Sequence, residues 1–350
     1  MDLAKVREKI DLIDKKLINL LEERMELSLR AQKLKQEVED RNREEEVMHH
    51  VAERSGGLVY PSFTRRLFEL IIGESKRLQK NGYRLIGFQG EHGAYGEVAT
   101  RAWDTHLAPI PCIEFADVFD SVSGKKLDFG MVPVENSLEG AVTQVNDLLI
   151  DTDLHIVGEV VIPVHHCLLA LPDTDYREIK VVYSHPQALA QCRGFITRNA
   201  LEMRPYYDTA GAAKMLARDM PHASAAIASS LAAELYNLQV IKENIEDHPS
   251  NFTRFVVLSR EKAPMKGEKC SIVFSAAHRA GTLFGVLRLF AEAGINLTRI
   301  ESRPLRNDPG HYVFFLDLLG DPEDRAVAAV LGEVEKATVK YKLLGSYGRA

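Results

Sequence analysis

No glycine or proline occurs in the first 55 residues. Within them Leu3, Val6, Ile10, Ile13, Leu17, Leu20, Leu27, Ala31, Leu34 and Val38 recur at steps of three and four, an apolar seam on one helix. A helix over residues 3–38 rises about 54 Å at about 1.5 Å per residue. That is too long for one compact domain, so the seam is expected to pair with a second chain. One position breaks it: Arg24 stands where an apolar residue belongs. A second helix is expected over residues 40–54 and a third over 61–79.

The texture then changes twice, as a chain of 350 residues leads one to expect. From 83 to 260, RLIGF, FGMVPV, HIVGEVVIPV, HCLLAL, KVVYS, SAAIAS and RFVVLS read as strands separated by helices and loops, an α/β pattern. EKAPMKG (261–267) reads as a linker. Beyond it CSIVFSA, INLTRIESRP, YVFFLDLLG and KYKLLGSY alternate with two helical runs in the order βαββαβ, a ferredoxin-like α+β unit. The expected division is 1–80, 83–260 and 268–350.

Composition narrows the function classes. Hydrophobic content of 45% and charged content of 27% are those of a soluble globular protein, and a net charge of −6 gives no reason to expect nucleic acid. No apolar run approaches the roughly 20 residues of a membrane span. MDLAKVREKIDLIDKK carries charge every few residues, unlike a signal peptide. Cys112, Cys167, Cys192 and Cys270 lack CxxC spacing, which fits buried free thiols in a reducing cytoplasm. His49-His50 and His165-His166 lack i, i+4 spacing and read as structural or surface residues, so neither metal nor cofactor is expected.

A guanidinium buried at Arg24 needs an anion, either a neighbouring glutamate or a ligand. Lys35 would follow three turns later on nearly the same face. Asp40, Arg43 and Glu44 share a face of the second helix, and Ser75 and Gln79 lie i, i+4 on the third. Arg7 lies about 26 Å before Arg24 along a straight helix, so the two meet one small molecule only if Arg7 comes from an antiparallel partner. VREKI, LLEER, LKQ, DRNRE and LFELIIGESKRLQ resemble the all-helical chorismate mutases, which form interlocked dimers. The resemblance implies that Arg24 and a partner chain's Arg7 hold the two carboxylates of chorismate. It places Asp40 and Glu44 at the hydroxyl and ring, with Arg43 and Ser75 lining the site. A Claisen rearrangement needs the substrate held compact and donors at the ether oxygen, roles that suit Lys35 and Gln79.

In the middle segment, FQGEHGAYGEVA (88–99) follows a strand and opens a helix, either a tight turn or an anion-binding one. It matches neither a dinucleotide nor a P-loop fingerprint. GMVPVENSLEG, SHPQALAQC, DTAGAAKMLA and NFTRF each place polar residues where a strand ends or a helix begins. Singly these read as caps; together they describe a cleft between two α/β lobes. VPVENSLEG, SHPQALAQC, TAGAA and NFTRF resemble the prephenate dehydratases, whose fold is like a two-lobed type II periplasmic binding protein. By that resemblance Glu135, Asn136, Ser137, Ser184, His185, Gln191, Thr209, Thr253, Arg254 and Phe255 form the site or its support. Thr253 would protonate the leaving hydroxyl, alone or in relay with Glu135, His185 or water.

The last segment, AHRAGTLFGVL and INLTRIESRP, resembles the ACT regulatory domain. It implies phenylalanine binding between paired domains at Gly281, Thr282, Leu283, Phe284, Asn296, Leu297, Glu301, Ser302, Arg303 and Pro304. Together the resemblances imply a cytoplasmic bifunctional enzyme of phenylalanine biosynthesis, a homodimer or higher homo-oligomer. It would turn chorismate into prephenate and prephenate into phenylpyruvate, under feedback inhibition by phenylalanine. Arogenate differs from prephenate by an amino in place of a keto group, and these residues do not separate the two. A non-catalytic amino-acid sensor is the competing class; it leaves Arg24, Lys35 and Gln79 unexplained.

Overall fold

The structure is a computed structural model of the chain, and it describes residues 2–35, 39–263, 266–277, 279–304 and 312–348. Three helices come first: α1 (Leu3–Gln32), α2 (Arg41–Glu53) and α3 (Pro61–Lys80). Asp2 and Asp40 cap the first two by accepting the amides of Lys5 and Arg43, and Pro61 opens the third. α1 ends at Gln32, earlier than the seam predicts. The amides of Lys33, Leu34 and Lys35 bond back to Arg30, Ala31 and Gln32 in the tighter i→i−3 pattern. The cause is tertiary: Gln32 donates to the Gln79 carbonyl at 2.8 Å, and Lys33 meets Asp128 at 2.7 Å. Lys35 therefore lies past the helix rather than three turns along it, and Val38 falls outside the described residues. Leu3, Ile10, Ile13, Leu17, Leu20 and Leu27 are 50–65% exposed in the single chain.

The middle segment folds as two lobes. The first contains β1 (Leu85–Gln89), α4 (Tyr95–Trp103), β2 (Ala108–Cys112), α5 (Phe115–Ser123) and β3 (Phe129–Asn136). β4 (Gly140–Ala141), α6 (Thr143–Asp151) and β5 (His155–Pro163) complete its forward run. The chain then crosses to β6 (Cys167–Ala170), β7 (Val181–Ser184), α7 (Pro186–Gln191), α8 (Arg193–Arg198) and β8 (Glu202–Pro205). α9 (Thr209–Asp219), β9 (Ser224–Ala228), α10 (Ser230–Tyr236) and β10 (Gln239–Lys242) follow. It returns to the first lobe as β11 (Phe252–Ser259). The sheet orders are β2-β1-β3-β11-β5 and β10-β6-β9-β7-β8, so two crossovers join the lobes. The strands that pattern alone does not reveal, β2, β8, β10 and the two-residue β4, are peripheral or very short.

The final unit is β12 (Lys269–Ala276), α11 (Thr282–Glu292), β13 (Leu297–Pro304), β14 (Tyr312–Leu319), α12 (Arg325–Ala337) and β15 (Lys340–Tyr347). Its antiparallel sheet has the order β13-β14-β12-β15. One face packs on α11 and α12. The other face packs on the first lobe: Val273, Phe315, Leu344 and Tyr347 share a core with Val132, Val134, Val256 and Leu258. Gly345 permits this approach, since a Cβ there would sit 2.0 Å from the Ile156 carbonyl oxygen.

Candidate active sites

On α1, Arg24 is half-buried and donates to Ser75 Oγ on α3 at 2.6 Å. Ser75 in turn donates to the Ile71 carbonyl, and Gln79 donates to the Ser28 carbonyl at 2.5 Å. Both α3 residues are buried, so α1 and α3 hold this polar corner between them. Burial pulls the Arg24 guanidinium below its ordinary value. Glu44 pairs with Lys76 at 2.6 Å beside the same helix, while Arg43 turns to Glu46 at 2.9 Å and Asp40 caps α2. The structure thus gathers Arg24, Ser75 and Gln79. Lys35 and Arg7 are exposed, and Arg7 sits near the far end of α1.

Between the lobes lies a cleft of about 500 Å³. The first lobe contributes Gln89, Tyr95, Met131, Asn136, Thr253 and Phe255; the second contributes His185, Gln187, Tyr207, Asp208 and Thr209. None of the lining residues is lysine or arginine. Gly93, just before the lining residues Ala94, Tyr95 and Gly96, lets the first lobe approach α10: its φ is +88°, and a Cβ there would lie 2.7 Å from Ala232 Cα, so no side chain fits.

A slip in strand register explains what faces the cleft. β11 pairs with β3 as Arg254 with Glu135 but Phe255 with Pro133, so Val134 is an extra residue on β3. Val134 packs in the core shared with the last domain, and Glu135 also turns to that side. Asn136 returns to the cleft beside Thr253. Its Oδ1 accepts the amides of Leu138 and Glu139, both at 3.0 Å, which fixes Nδ2 as the inward end. That amide donates to Thr253 Oγ at 2.9 Å and to Asn251 Oδ1 at 2.7 Å. Thr253 Oγ1 accepts there with one of its two lone pairs and donates in none of the described hydrogen bonds, so its proton can be given to a ligand.

The other named residues are placed as follows. Ser137 is tied to the start of β11, donating to the Ser250 carbonyl and accepting the Phe252 amide. Ser184 is fully buried and donates to the Ile227 carbonyl at 2.5 Å. His185 caps α7 through Nδ1 while lining the cleft, and Gln191 meets His166 and Asn251 at the crossovers. Arg254 faces away from the cleft. It reaches Asp317 at 2.6 Å, Glu159 at 2.7 Å, Glu135 at 3.3 Å and the Tyr347 hydroxyl at 3.0 Å. Burial alone would pull this guanidinium down; Asp317, Tyr347 and Glu159 hold it above its usual range. Tyr207, Gln187 and Met131, which line the cleft, carry no sequence signal beyond their neighbours.

In the last domain, Thr282 and Leu283 line a depression of about 100 Å³ with Arg279, Tyr312 and Phe314. Gly281 caps α11 at φ +86°, and Phe284 is 69% exposed. Leu297 and Glu301 are half-buried on the edge strand β13, while Asn296, Ser302 and Pro304 are exposed. Arg303 reaches into the first lobe and pairs with Asp147 of α6 at 3.0 Å.

Comparison with known proteins agrees with this geometry. Residues 6–80 match the family model of chorismate mutase type II, 86–263 that of prephenate dehydratase, and 271–336 that of the ACT domain. The bifunctional chorismate mutase/prephenate dehydratase of Aquifex aeolicus is 35% identical over 100% of this chain and 98% of its own length. Among solved structures, prephenate dehydratase from Arthrobacter aurescens in complex with L-Phe has a TM-score of 0.69 at 34% identity, covering 76% of this chain and 90% of that one. GqqA, described as a novel type of quorum quenching acylase, has a TM-score of 0.71 at 36% identity, covering 76% and 98%. The three family matches run in order along the chain and a two-activity relative matches it from end to end: it belongs to the bifunctional chorismate mutase/prephenate dehydratases, enzymes with both activities, and carries an ACT domain after them.

Proposed function

We propose that the chain converts chorismate through prephenate to phenylpyruvate in phenylalanine biosynthesis, with the ACT domain binding phenylalanine and restraining the second step. The reading assigns the mutase to residues 1–80, the dehydratase to 83–260 and control to 268–350. Arg24 and Ser75 orient a carboxylate of chorismate, and Gln79 donates toward the breaking ether bond. Arg7 is too far from that corner to join it along the same straight helix, so it comes from the antiparallel α1 of a second copy; Lys35 follows Gln32, whose side chain reaches the Gln79 carbonyl, and supplies the charged donor beside Gln79. The exposed seam of α1 supports a homodimer, and four buried free thiols suit a reducing cytoplasm.

The observation that carries the dehydratase assignment is the Asn136–Thr253 hydrogen bond at the cleft. Prephenate loses its ring carboxylate as CO2; the electron pair left behind aromatises the ring and expels the C4 hydroxide. Thr253 gives that hydroxide its proton, forming water, and His185 or water restores the proton to Thr253. A wall without lysine or arginine suits this step, because the carboxylate that leaves as neutral CO2 is not stabilised in its charged form.

The test follows prephenate and phenylpyruvate from added chorismate. Thr253→Ala is expected to keep prephenate formation and lose phenylpyruvate. Added phenylalanine is expected to slow phenylpyruvate formation in the parent protein. Undiminished phenylpyruvate from Thr253→Ala would remove Thr253 from the chemistry, and indifference to phenylalanine would remove feedback control.

A further inference from the structure

Two crossovers join the lobes, and a buried polar chain runs across both. His166 lies between β5 and β6 and is 2% exposed. Its Nε2 is 2.9 Å from Gln191 Oε1, and its Nδ1 is 3.0 Å from the Tyr95 hydroxyl. Asn251, fully buried on the return crossover, donates through Nδ2 to the same Gln191 oxygen at 3.2 Å. The two crossovers are themselves bonded, Val164 N to the Asn251 carbonyl at 2.8 Å.

The hydrogen-bond directions along this chain follow from one fixed end. The backbone amides of Leu138 and Glu139 hold Asn136 Oδ1, so Asn136 Nδ2 must donate to Asn251 Oδ1. Asn251 Nδ2 then points at Gln191, whose facing atom must be the oxygen. The remaining lone pair of that oxygen calls for a proton on His166 Nε2. Burial lowers the basicity of this imidazole against the raising effect of the Gln191 bond, so the ring is neutral and Nδ1 is an acceptor. The Tyr95 hydroxyl meets it there, sharing its proton with the His165 carbonyl at 2.6 Å. Gln191 Oε1 thus accepts from both Asn251 and His166, and both ends of the chain, Thr253 and Tyr95, line the cleft.

We infer that His166 is a positioning residue of the dehydratase: its Nε2–H holds Gln191, Gln191 holds Asn251, and Asn251 in turn keeps the Asn136 amide, whose orientation the Leu138 and Glu139 amides fix, in place against the Thr253 hydroxyl. The inference rests on the assignment of Thr253 as proton donor. It accounts for a buried histidine that does not line the cleft and has no metal-ligand spacing with its neighbour. A merely space-filling ring would serve as well without a donor at Nε2.

The experiment measures kcat and KM for prephenate in the full-length protein, with mutase turnover as the check on folding. His166→Phe keeps ring volume and removes the donor; His166→Gln places an amide donor near the Nε2 position. The expected result is a kcat reduced roughly 10- to 100-fold in His166→Phe, KM within about threefold, and at least about tenfold recovery in the Gln variant. Combining His166→Phe with Gln191→Met should cost no more than the worse single change, because both break one chain. A kcat within about twofold of the parent in a folded His166→Phe protein overturns the inference, as does equal loss in both His166 variants or fully multiplicative losses in the double variant. Thr253→Ala measured alongside separates the two levels. If Thr253→Ala retains turnover, the donor assignment fails; if it loses turnover while His166→Phe does not, only the positioning role fails.

Discussion

His92 sits in the loop between β1 and α4, with Nε2 2.8 Å from Glu26 of α1 and Nδ1 3.0 Å from Glu97 of α4. Arg30 and Arg101 flank the two carboxylates, at 3.2 Å from Glu26 and 2.6 Å from Glu97. Burial alone would depress the imidazole; the hydrogen bonds it donates to both glutamates outweigh that and raise it to about 9. Against an unfolded value of about 6.5, that rise corresponds to about 3 kcal/mol at about 1.36 kcal/mol per pH unit. The side chain is 35% exposed, so solvent screening reduces the expected contribution to about 1–2 kcal/mol. A raised value means the folded state binds the proton more tightly. The stabilisation is therefore complete below about pH 6.5 and fades as the pH climbs through about 9. The comparison is His92→Gln against the parent, unfolded in urea at pH 6.5, 7.5, 8.5 and 9.5. Trp103, the single tryptophan, ends α4 and packs on Phe129 and Gly158, so it reports unfolding of the first lobe. The stability gap should be about 1–2 kcal/mol at pH 6.5 and a few tenths at pH 9.5. A gap independent of pH, or none at pH 6.5, would refute the account of this clamp between mutase helix and dehydratase loop.

Two further changes test other interfaces. Asp317→Asn leaves the Arg254 guanidinium buried with its closest counter-charge removed; a loss of about 3 kcal/mol is expected in denaturant unfolding, and a change under about 0.5 kcal/mol would contradict the cluster. Leu17→Glu puts a charge in the exposed seam of α1; sedimentation should show dissociation and chorismate turnover should collapse while prephenate turnover persists, and an unchanged oligomer would exclude this seam as the contact.

Legibility in the sequence follows burial. Interior strands such as β3 and β11 carry long apolar runs and are readable; β2, with Pro109 and Pro111, lies at a sheet edge where missing donors are tolerated. The end of α1 is not readable, because Lys33 stops the helix by reaching Asp128, 95 residues away. Glu135 sits among cleft residues in sequence, yet the extra residue at Val134 turns it to the opposite face, where Arg254 already points by the plain alternation of β11 between Thr253 and Phe255. Local alternation contains no sign of a bulge whose partner strand lies over a hundred residues on. His166 reads as an ordinary buried histidine for the same reason: its partners come from Tyr95 and Gln191, on separate lobes.

That single extra residue also bears on how this family can change over time. Substitutions along β3 and β11 alter one contact each, but a change of length alters the meaning of every position after it. Loss of Val134 would restore the regular ladder with Glu135 still opposite Arg254, but would take an apolar side chain out of the core shared with the last domain. Thr253 and Arg254, neighbours on β11, serve different parts of the enzyme by alternation alone, whereas Glu135 and Asn136 on β3 do so with the extra residue beside them. Along this segment a change of letter stays local, whereas a change of length moves a bulge around which the shared core is packed.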